Sequence, residues 1–556
     1  MRTTPTSASR VRRASARASA VAGIAVAALA LSACAGGGGS AGAKTGLDVD
    51  LTRLATRTAQ AKGPIDAVTW NLPYEPLSLD PMKTFNYAEN TVDANLCDSL
   101  QRLNPDLTTG PGLAEKVETP NDTTVVYTLR DGVKFWDGTP LTPADVVFSI
   151  ERQSGAHNGD SYFSEYFTSV QSVEQTGANR VTVHLSKPDA LFVQGMATAA
   201  GAIVSKAYAT KAGEQFGTPQ GGIMCTGAFK LDSWKAGKGI DIVKNDAYWD
   251  KNLVPKAGKV SFSFIADETT AINALRSGDV DGQFFYLPPT GIQQLTGSST
   301  VTTTYGKSFV FFTLAGASTT GPFADPKVRQ ALLDSIDRQA ISDVVFQKAA
   351  IPAPTLAGPD YWGDQKSLFE PAFTKFGTKP DPGAAKQLLA GVDTSKEITI
   401  AIQGSSAVHE QTANLIQAAG QAIGLKITTK VIPVEQYGNL YTDPKARAGL
   451  DAFFTTWYGN VTDPLDVYQV FTTGGTNNFG GYTAVNDLVG QARSTLDPAA
   501  RAKLTVDIQA KVTQDLPWTP LTYLPTILVQ NDRITGAVPS IAYLSYPWAA
   551  TIGSAR

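Results

Sequence analysis

Histidine and cysteine are scarce in this 556-residue chain, with three of each. His157, His184 and His409 lie far apart, and no three-ligand zinc centre is evident from their spacing. His409-Glu410 opens like a zincin helix, yet position 413 is alanine and the second imidazole is missing. No Gly-x-Ser-x-Gly elbow occurs, and Lys235-Ala236-Gly237-Lys238 lacks both the glycine spacing and the Ser/Thr of a phosphate loop. The chain therefore reads as a non-enzyme that needs no cofactor and no metal. Positive charge is also short. Without the five arginines of the first 33 residues, 42 basic residues face 50 acidic ones, a balance of −8. A nucleic-acid binder normally presents a basic face, so that class is excluded. Beyond residue 33 no segment approaches eighteen consecutive apolar residues, which argues against a membrane-spanning helix. No repeat of 20–50 residues emerges, which argues against a solenoid or propeller.

The N-terminus is where apolar residues concentrate. Arg2, Arg10, Arg12, Arg13 and Arg17 precede a run over residues 18–33 that only Ser19, Gly23 and Ser32 interrupt. As a helix that run spans ~24 Å, short of the ~30 Å bilayer core, so it reads as a signal segment and not an anchor. Leu31-Ser32-Ala33-Cys34 closes it and resembles the lipobox of bacterial lipoprotein precursors. The resemblance implies that residues 1–33 are removed and that Cys34 takes the lipid. Residues 34–63 are expected to be a tether, because 35–46 are almost all glycine, alanine and serine. Residues 47–62 are ambiguous between tether and short helix. Order is expected from about Ile65, with the body held at the extracytoplasmic face of the cell membrane. There Cys97 and Cys225 form a candidate disulfide, the alternative being two buried thiols.

About 490 residues exceed what one core organises, so two or three lobes are predicted. Strand-like runs such as Val125-Val126-Tyr127-Thr128-Leu129 and Val181-Thr182-Val183-His184-Leu185 alternate with helices. Thr142-Pro143-Ala144-Asp145 carries an N-cap, a proline and an acid in helix-start order. Asp325-Pro326, Asp381-Pro382, Asp463-Pro464 and Asp497-Pro498 repeat that punctuation. A helix over 268–277 should end at Gly278, and a helix over 411–423 should lead into a strand at 426–431. The mixture predicts an α/β fold.

From Pro111 to Phe148 the chain acquires family features. Pro111-Gly112-Leu113-Ala114-Glu115 is followed by Tyr127-Thr128-Leu129-Arg130-Asp131-Gly132-Val133-Lys134-Phe135, then by Asp137-Gly138-Thr139-Pro140-Leu141-Thr142-Pro143-Ala144-Asp145. This block resembles the family 5 extracellular solute-binding proteins of ABC importers, the oligopeptide, dipeptide and nickel type. Thr226-Gly227-Ala228-Phe229-Lys230-Leu231 with Asn245-Asp246-Ala247-Tyr248-Trp249 resembles a second family signature. Ser277-Gly278-Asp279-Val280-Asp281 and Asp325-Pro326-Lys327-Val328-Arg329-Gln330-Ala331 resemble two more, in the family's order.

The resemblance implies a two-lobed periplasmic-binding-protein-like fold (class II, cluster C), hinged by two strands, with an extra subdomain on lobe I. Lobe I is expected over 64–303 plus 521–556, and lobe II over 304–520. It implies a monomer that closes around an oligopeptide or similar organic solute and delivers it to permease and ATPase subunits. Oligosaccharide or glycoside binding, peptide-pheromone sensing and, least favoured, surface hydrolysis are the alternatives. Nickel is disfavoured by the scarce histidine, with metal chelates left open. Trp457, Tyr458, Asn460 and Asp463 follow a strand-like run and are expected to project into the cleft. In peptide-binding members the residue corresponding to Asn460 is often an aspartate that pairs with the ligand's ammonium. A neutral residue there weakens the expectation of an amine ligand. Asp463 doubles as a candidate helix cap. Phe85-Asn86-Tyr87, Phe285-Tyr286 and Tyr361-Trp362 are aromatic loops suited to a cleft wall, with ordinary packing as the alternative, and His409 completes the candidates.

Overall fold

The computed structural model describes residues 53–154, 161–284, 289–296, 298–475 and 477–556. The signal segment, Cys34, His157 and Tyr286 lie outside them.

Two mixed sheets organise the body as two lobes. The first has seven strands in the order Val301–Gly306, Thr526–Asn531, Gly282–Phe284, Ile65–Leu72, Ala257–Phe264, Gly239–Lys244, Phe229–Lys235. Ile65–Leu72 pairs in parallel with both of its neighbours and is almost fully buried toward its end, which suits its Val68-Thr69-Trp70 run. The second has six strands in the order Ile351–Pro352, Trp518–Tyr523, Val310–Gly316, Ala452–Tyr458, Glu397–Gln403, Lys426–Ile432. Its central Val310–Gly316 is buried at every residue. A four-stranded antiparallel sheet stands apart: Ala114–Asn121, Thr124–Leu129, Arg180–Leu185, Val170–Gln175.

The chain passes between the two large sheets twice. Val301–Gly306 lies wholly in the first sheet and Val310–Gly316 in the second; Trp518–Tyr523 lies wholly in the second and Thr526–Asn531 in the first. Pairing sets these limits, since Trp518–Tyr523 pairs with Val310–Gly316 as far as Tyr523 opposite Phe311, across a register shift between Phe312 and Thr313.

Helix starts follow local chemistry. The Asp325, Asp381 and Asp497 carboxylates accept backbone N–H bonds at the heads of Pro326–Ser335, Pro382–Leu388 and Pro498–Asp515. Asp145 accepts from the Thr142 N–H at 2.9 Å and the Thr142 hydroxyl at 2.6 Å. Glu268–Ser277 ends at Gly278, whose φ of 83° is the left-handed conformation only glycine adopts freely. The helix expected from 411 begins earlier, at Ala407, because the Ser406 hydroxyl caps it through the His409 N–H.

Order also begins ahead of Ile65. The Ala55 N–H donates to the Tyr305 carbonyl at 2.8 Å, the Thr58 hydroxyl to the Ala537 carbonyl at 2.9 Å, and the Lys62 N–H to the Ser554 carbonyl at 2.8 Å. The final stretch assigned to the tether is thus bonded to the body. In the first lobe, Cys97 and Cys225 form a disulfide with a Cα–Cα distance of 5.0 Å.

Candidate functional site

The site grows from one end of the strand Ala452–Tyr458, where the second sheet meets the first lobe. Its residues alternate between sheet faces, so Trp457 packs beside Phe311 (5.7 Å between ring centroids) and Trp518 (6.1 Å), while Tyr458 turns the other way. The Tyr458 hydroxyl donates to the Phe85 carbonyl at 3.0 Å and accepts from the Asn90 amide at 3.1 Å. Its ring lies 5.0 Å from that of Tyr87. Phe85 stacks on Tyr162 at 4.5 Å, and Asn86 occupies the N-cap position of the buried helix Tyr87–Leu96. The Phe85-Asn86-Tyr87 loop therefore meets the second lobe.

Gly459 follows the strand because nothing larger fits. A Cβ there would stand 2.6 Å from the Tyr361 ring and 3.0 Å from a carboxylate oxygen of Asp466. The Tyr361 hydroxyl accepts the Gly459 N–H at 2.7 Å and donates to the Phe309 carbonyl at 2.5 Å. Tyr361 is thus a buried strut beneath the site.

Two small cavities open between the lobes, sharing Phe163 and Asn460 in their walls. Tyr162, Glu165 and Tyr166 form the first-lobe side of one; Trp457, Asn460, Asp466, Gln469 and Asn477 form the other side. Asn90, Tyr458 and Ser545 contribute to the second cavity. Tyr162 and Tyr166 face Trp457, Asn460 and Asn477 across the first cavity. Tyr166 in turn donates to Asp466, 300 residues away in sequence.

Asp466 is the strongest electrostatic feature. It is 1 % exposed and also accepts the Asn460 N–H at 2.6 Å and the Gln469 amide at 2.7 Å. Burial raises its pKa to about 6; the hydrogen bonds from Tyr166 and Asn460 pull the other way, and Glu165 and Asp463 add to the rise. The neutral Asn460 thus sits beside a carboxylate. Burial also pushes Tyr162 up to about 12 and Tyr166 well above its usual value.

Other sequence candidates fall elsewhere. Asp463 is spent on structure: one oxygen accepts the Leu465 N–H at 3.0 Å, and the other pairs with the Arg501 guanidinium at 2.8 Å. Trp362 packs beside Phe369 and Phe373 at 6.2 and 5.2 Å, away from both cavities. His409 sits in the second-lobe interior among Phe312, Tyr437 and Phe454. Its Nδ1 accepts the Gln403 N–H at 3.0 Å, and burial lowers its pKa to about 3, so it is a neutral packing residue. Asp466, Tyr166, Tyr162 and Gln469 are the residues that sequence reasoning passes over. No local motif marks them: Tyr166 and Asp466 find each other across the cleft, and Gln469 is drawn in by Asp466 and Arg493. Among the described residues, no group of three or more His, Cys, Asp or Glu side chains is placed to hold a metal ion. Within the same residues, no helix is long and apolar enough to cross a membrane.

Known proteins share this architecture over nearly the whole body. The glutathione-binding protein GsiB of Escherichia coli is 26% identical over 476 residues, 83% of this chain and 89% of that one. The periplasmic oligopeptide-binding protein OppA of Salmonella typhimurium is 24% identical over 471 residues, 81% of this chain and 85% of its own. The oligopeptide-binding protein AppA of Bacillus subtilis, solved with a nonapeptide, superposes with a TM-score of 0.77 at 21% identity, covering 89% of this chain and 100% of that chain. The family model "Bacterial extracellular solute-binding proteins, family 5 Middle" matches residues 108–479, more than half the sequence. The chain belongs to the family 5 extracellular solute-binding proteins, the solute-capturing, non-enzymatic components of ABC transporters.

Proposed function

We propose that this protein is a monomeric, lipid-anchored member of the family, held through Cys34 on the extracytoplasmic face of the cell membrane. It captures an oligopeptide or similar organic solute between its lobes and passes it to the permease of an ABC importer, whose ATPase subunits hydrolyse ATP. The observation that carries this reading is the shared ownership of the cavity wall. Tyr162 and Tyr166 come from one side, and Trp457, Asn460 and Asp466 from the other. A solute touching both sides binds the closed arrangement better than the open one, and only that difference moves the equilibrium. Going from 1:99 to 99:1 takes about 5.5 kcal/mol of differential binding. The relatives named for glutathione and oligopeptides support a peptide-like cargo.

Native mass spectrometry of protein purified from its own host identifies the cargo, and small-angle scattering with and without it measures closure. A retained peptide-like solute that lowers the radius of gyration is the expected result. A tightly held solute that leaves compactness unchanged overturns the reading. For the anchor, Cys34→Ser should release the protein from membranes; continued membrane retention would remove the lipid assignment.

A further inference from the structure

Asn90 brings to the second cavity a buried oxygen that no donor among the described residues reaches. It stands on the first-lobe helix Tyr87–Leu96 and is 3% exposed. Its amide nitrogen donates to the Tyr458 hydroxyl at 3.1 Å, and that hydroxyl spends its one proton on the Phe85 carbonyl at 3.0 Å. This pairing fixes which way the amide faces. Tyr458 can only accept from Asn90, so the nitrogen meets it and Oδ1 is left over. Buried polar groups are as a rule paired, because an unmade hydrogen bond costs more than a made one returns.

The rest of the wall selects the kind of donor that suits Oδ1. Leu103, Phe163, Phe309, Ile541 and Leu544 make it largely apolar, and among the described residues it holds no aspartate, glutamate, lysine, arginine or histidine. An ammonium or carboxylate brought here would lose its hydration without gaining a counter-ion, whereas a neutral amide N–H needs only one acceptor.

We propose that Asn90 is a specificity-determining residue of the cleft, its Oδ1 accepting a hydrogen bond from an uncharged backbone N–H of a peptide-like solute. The assignment rests on the interlobe cleft being the solute site. Asn90 then serves both lobes at once: Nδ2 joins the first lobe to Tyr458 of the second, and Oδ1 reads the solute. The amide is oriented for that reading only while Tyr458 holds it, so recognition of this donor is tied to closure.

The test is calorimetric titration of the mature protein with the tripeptide alanyl-phenylalanyl-leucine and two analogues, each with one backbone amide replaced by an ester. The ester keeps the shape of the amide and puts an oxygen where the N–H was, so it removes a single donor. At least one analogue is expected to bind tenfold or more weakly than the parent, since a buried polar group rejects the partner that leaves it unpaired. Asn90→Leu, close in volume and without an acceptor, should bring that ratio below threefold. Asn90→Ser, which shortens the side chain and withdraws the acceptor, carries the same expectation should the leucine variant not fold. Both analogues binding the wild-type protein within threefold of the parent overturns the proposal, and so does a ratio that survives loss of the Asn90 acceptor. Scattering on the same samples separates the two levels of inference. If the tripeptide compacts the protein and the ester ratio is absent, the Asn90 assignment falls and solute capture stands. If the tripeptide does not bind, the assignment falls; if the cargo recovered from the host produces no compaction either, both fall.

Discussion

Arg493→Ala should open the protein. Arg493 lies at the end of the helix Asn486–Arg493 in the second lobe, and Asp189 caps the helix Ala190–Gly195 beyond the four-stranded sheet. The two are 304 residues apart in sequence and joined by two hydrogen bonds, with the Asp189 side chain 0% and the Arg493 side chain 11% exposed. Removing one partner of a buried ion pair typically costs 3–5 kcal/mol. Here Asp189 keeps the Leu191 and Phe192 N–H groups and the Ser169 hydroxyl, so the lower end, about 3 kcal/mol, applies. In an open arrangement water solvates both ends, so this cost falls on the closed form alone. At about 1.4 kcal/mol per tenfold, it corresponds to roughly a hundredfold weaker solute binding. The assay is the dissociation constant of the solute recovered from the host, with the radius of gyration measured in parallel. A cycle with Asp189→Asn isolates the pairwise coupling. If Arg493→Ala lowers the melting temperature while leaving affinity and compactness unchanged, the pair holds the fold and not the closure, and this reasoning is refuted.

Other expectations concern buried acids and the disulfide. With its pKa raised to about 6 from 3.8, Asp466 keeps a proton in the folded state that the unfolded chain releases. Its contribution is fully present below about pH 4 and is lost as pH rises through 6, about 3 kcal/mol in all, so Asp466→Asn should flatten that part of a stability–pH profile. Glu89, raised by burial to about 7 from 4.5, follows the same sign over a higher window. Glu89→Gln keeps the acceptor for the Leu77 N–H and should raise thermal stability at pH 8 by about 3 kcal/mol, with little effect at pH 4. Unfolding temperatures at the two pH values check this, and equal shifts at both would refute it. Replacing Cys97 and Cys225 by serine opens a loop of sequence separation 128, which should cost about 5 kcal/mol in chain entropy, read by denaturant titration.

Much of the framework is legible from short-range chemistry. The Asp-Pro pairs at 325, 381 and 497 start helices because a carboxylate cap and a proline act within one turn, and Gly278 stops one for an equally local reason. Asp463 shows where such a reading stops. Its contact with the Leu465 N–H is local and foreseeable, whereas its pairing with Arg501 depends on a helix 38 residues further on. The site is still more distributed. Trp457, Tyr458 and Asn460 stand at the cleft because they end a central strand, a position visible in the apolar run before them. Asp466 has local donors in Asn460 and Gln469, but its link across the cleft is to Tyr166, and nothing in either local sequence reports the other. His409 and Trp362 resemble ligand contacts by residue type alone, and their aromatic neighbours, brought together by the fold, claim them.

The bond from the Ala55 N–H to Tyr305, and its counterpart from the Lys307 N–H to the Ala55 carbonyl at 3.1 Å, have a mechanical consequence. Residue 55 grips the chain beside the Gly306–Val310 crossing, so a pull from upstream is delivered at the pivot, where its lever arm is shortest. If the chain is moored through Cys34, as proposed, the swinging half should feel almost no torque from it. Changes in the length or stiffness of the leader should therefore alter how far the protein roams without altering how readily it shuts.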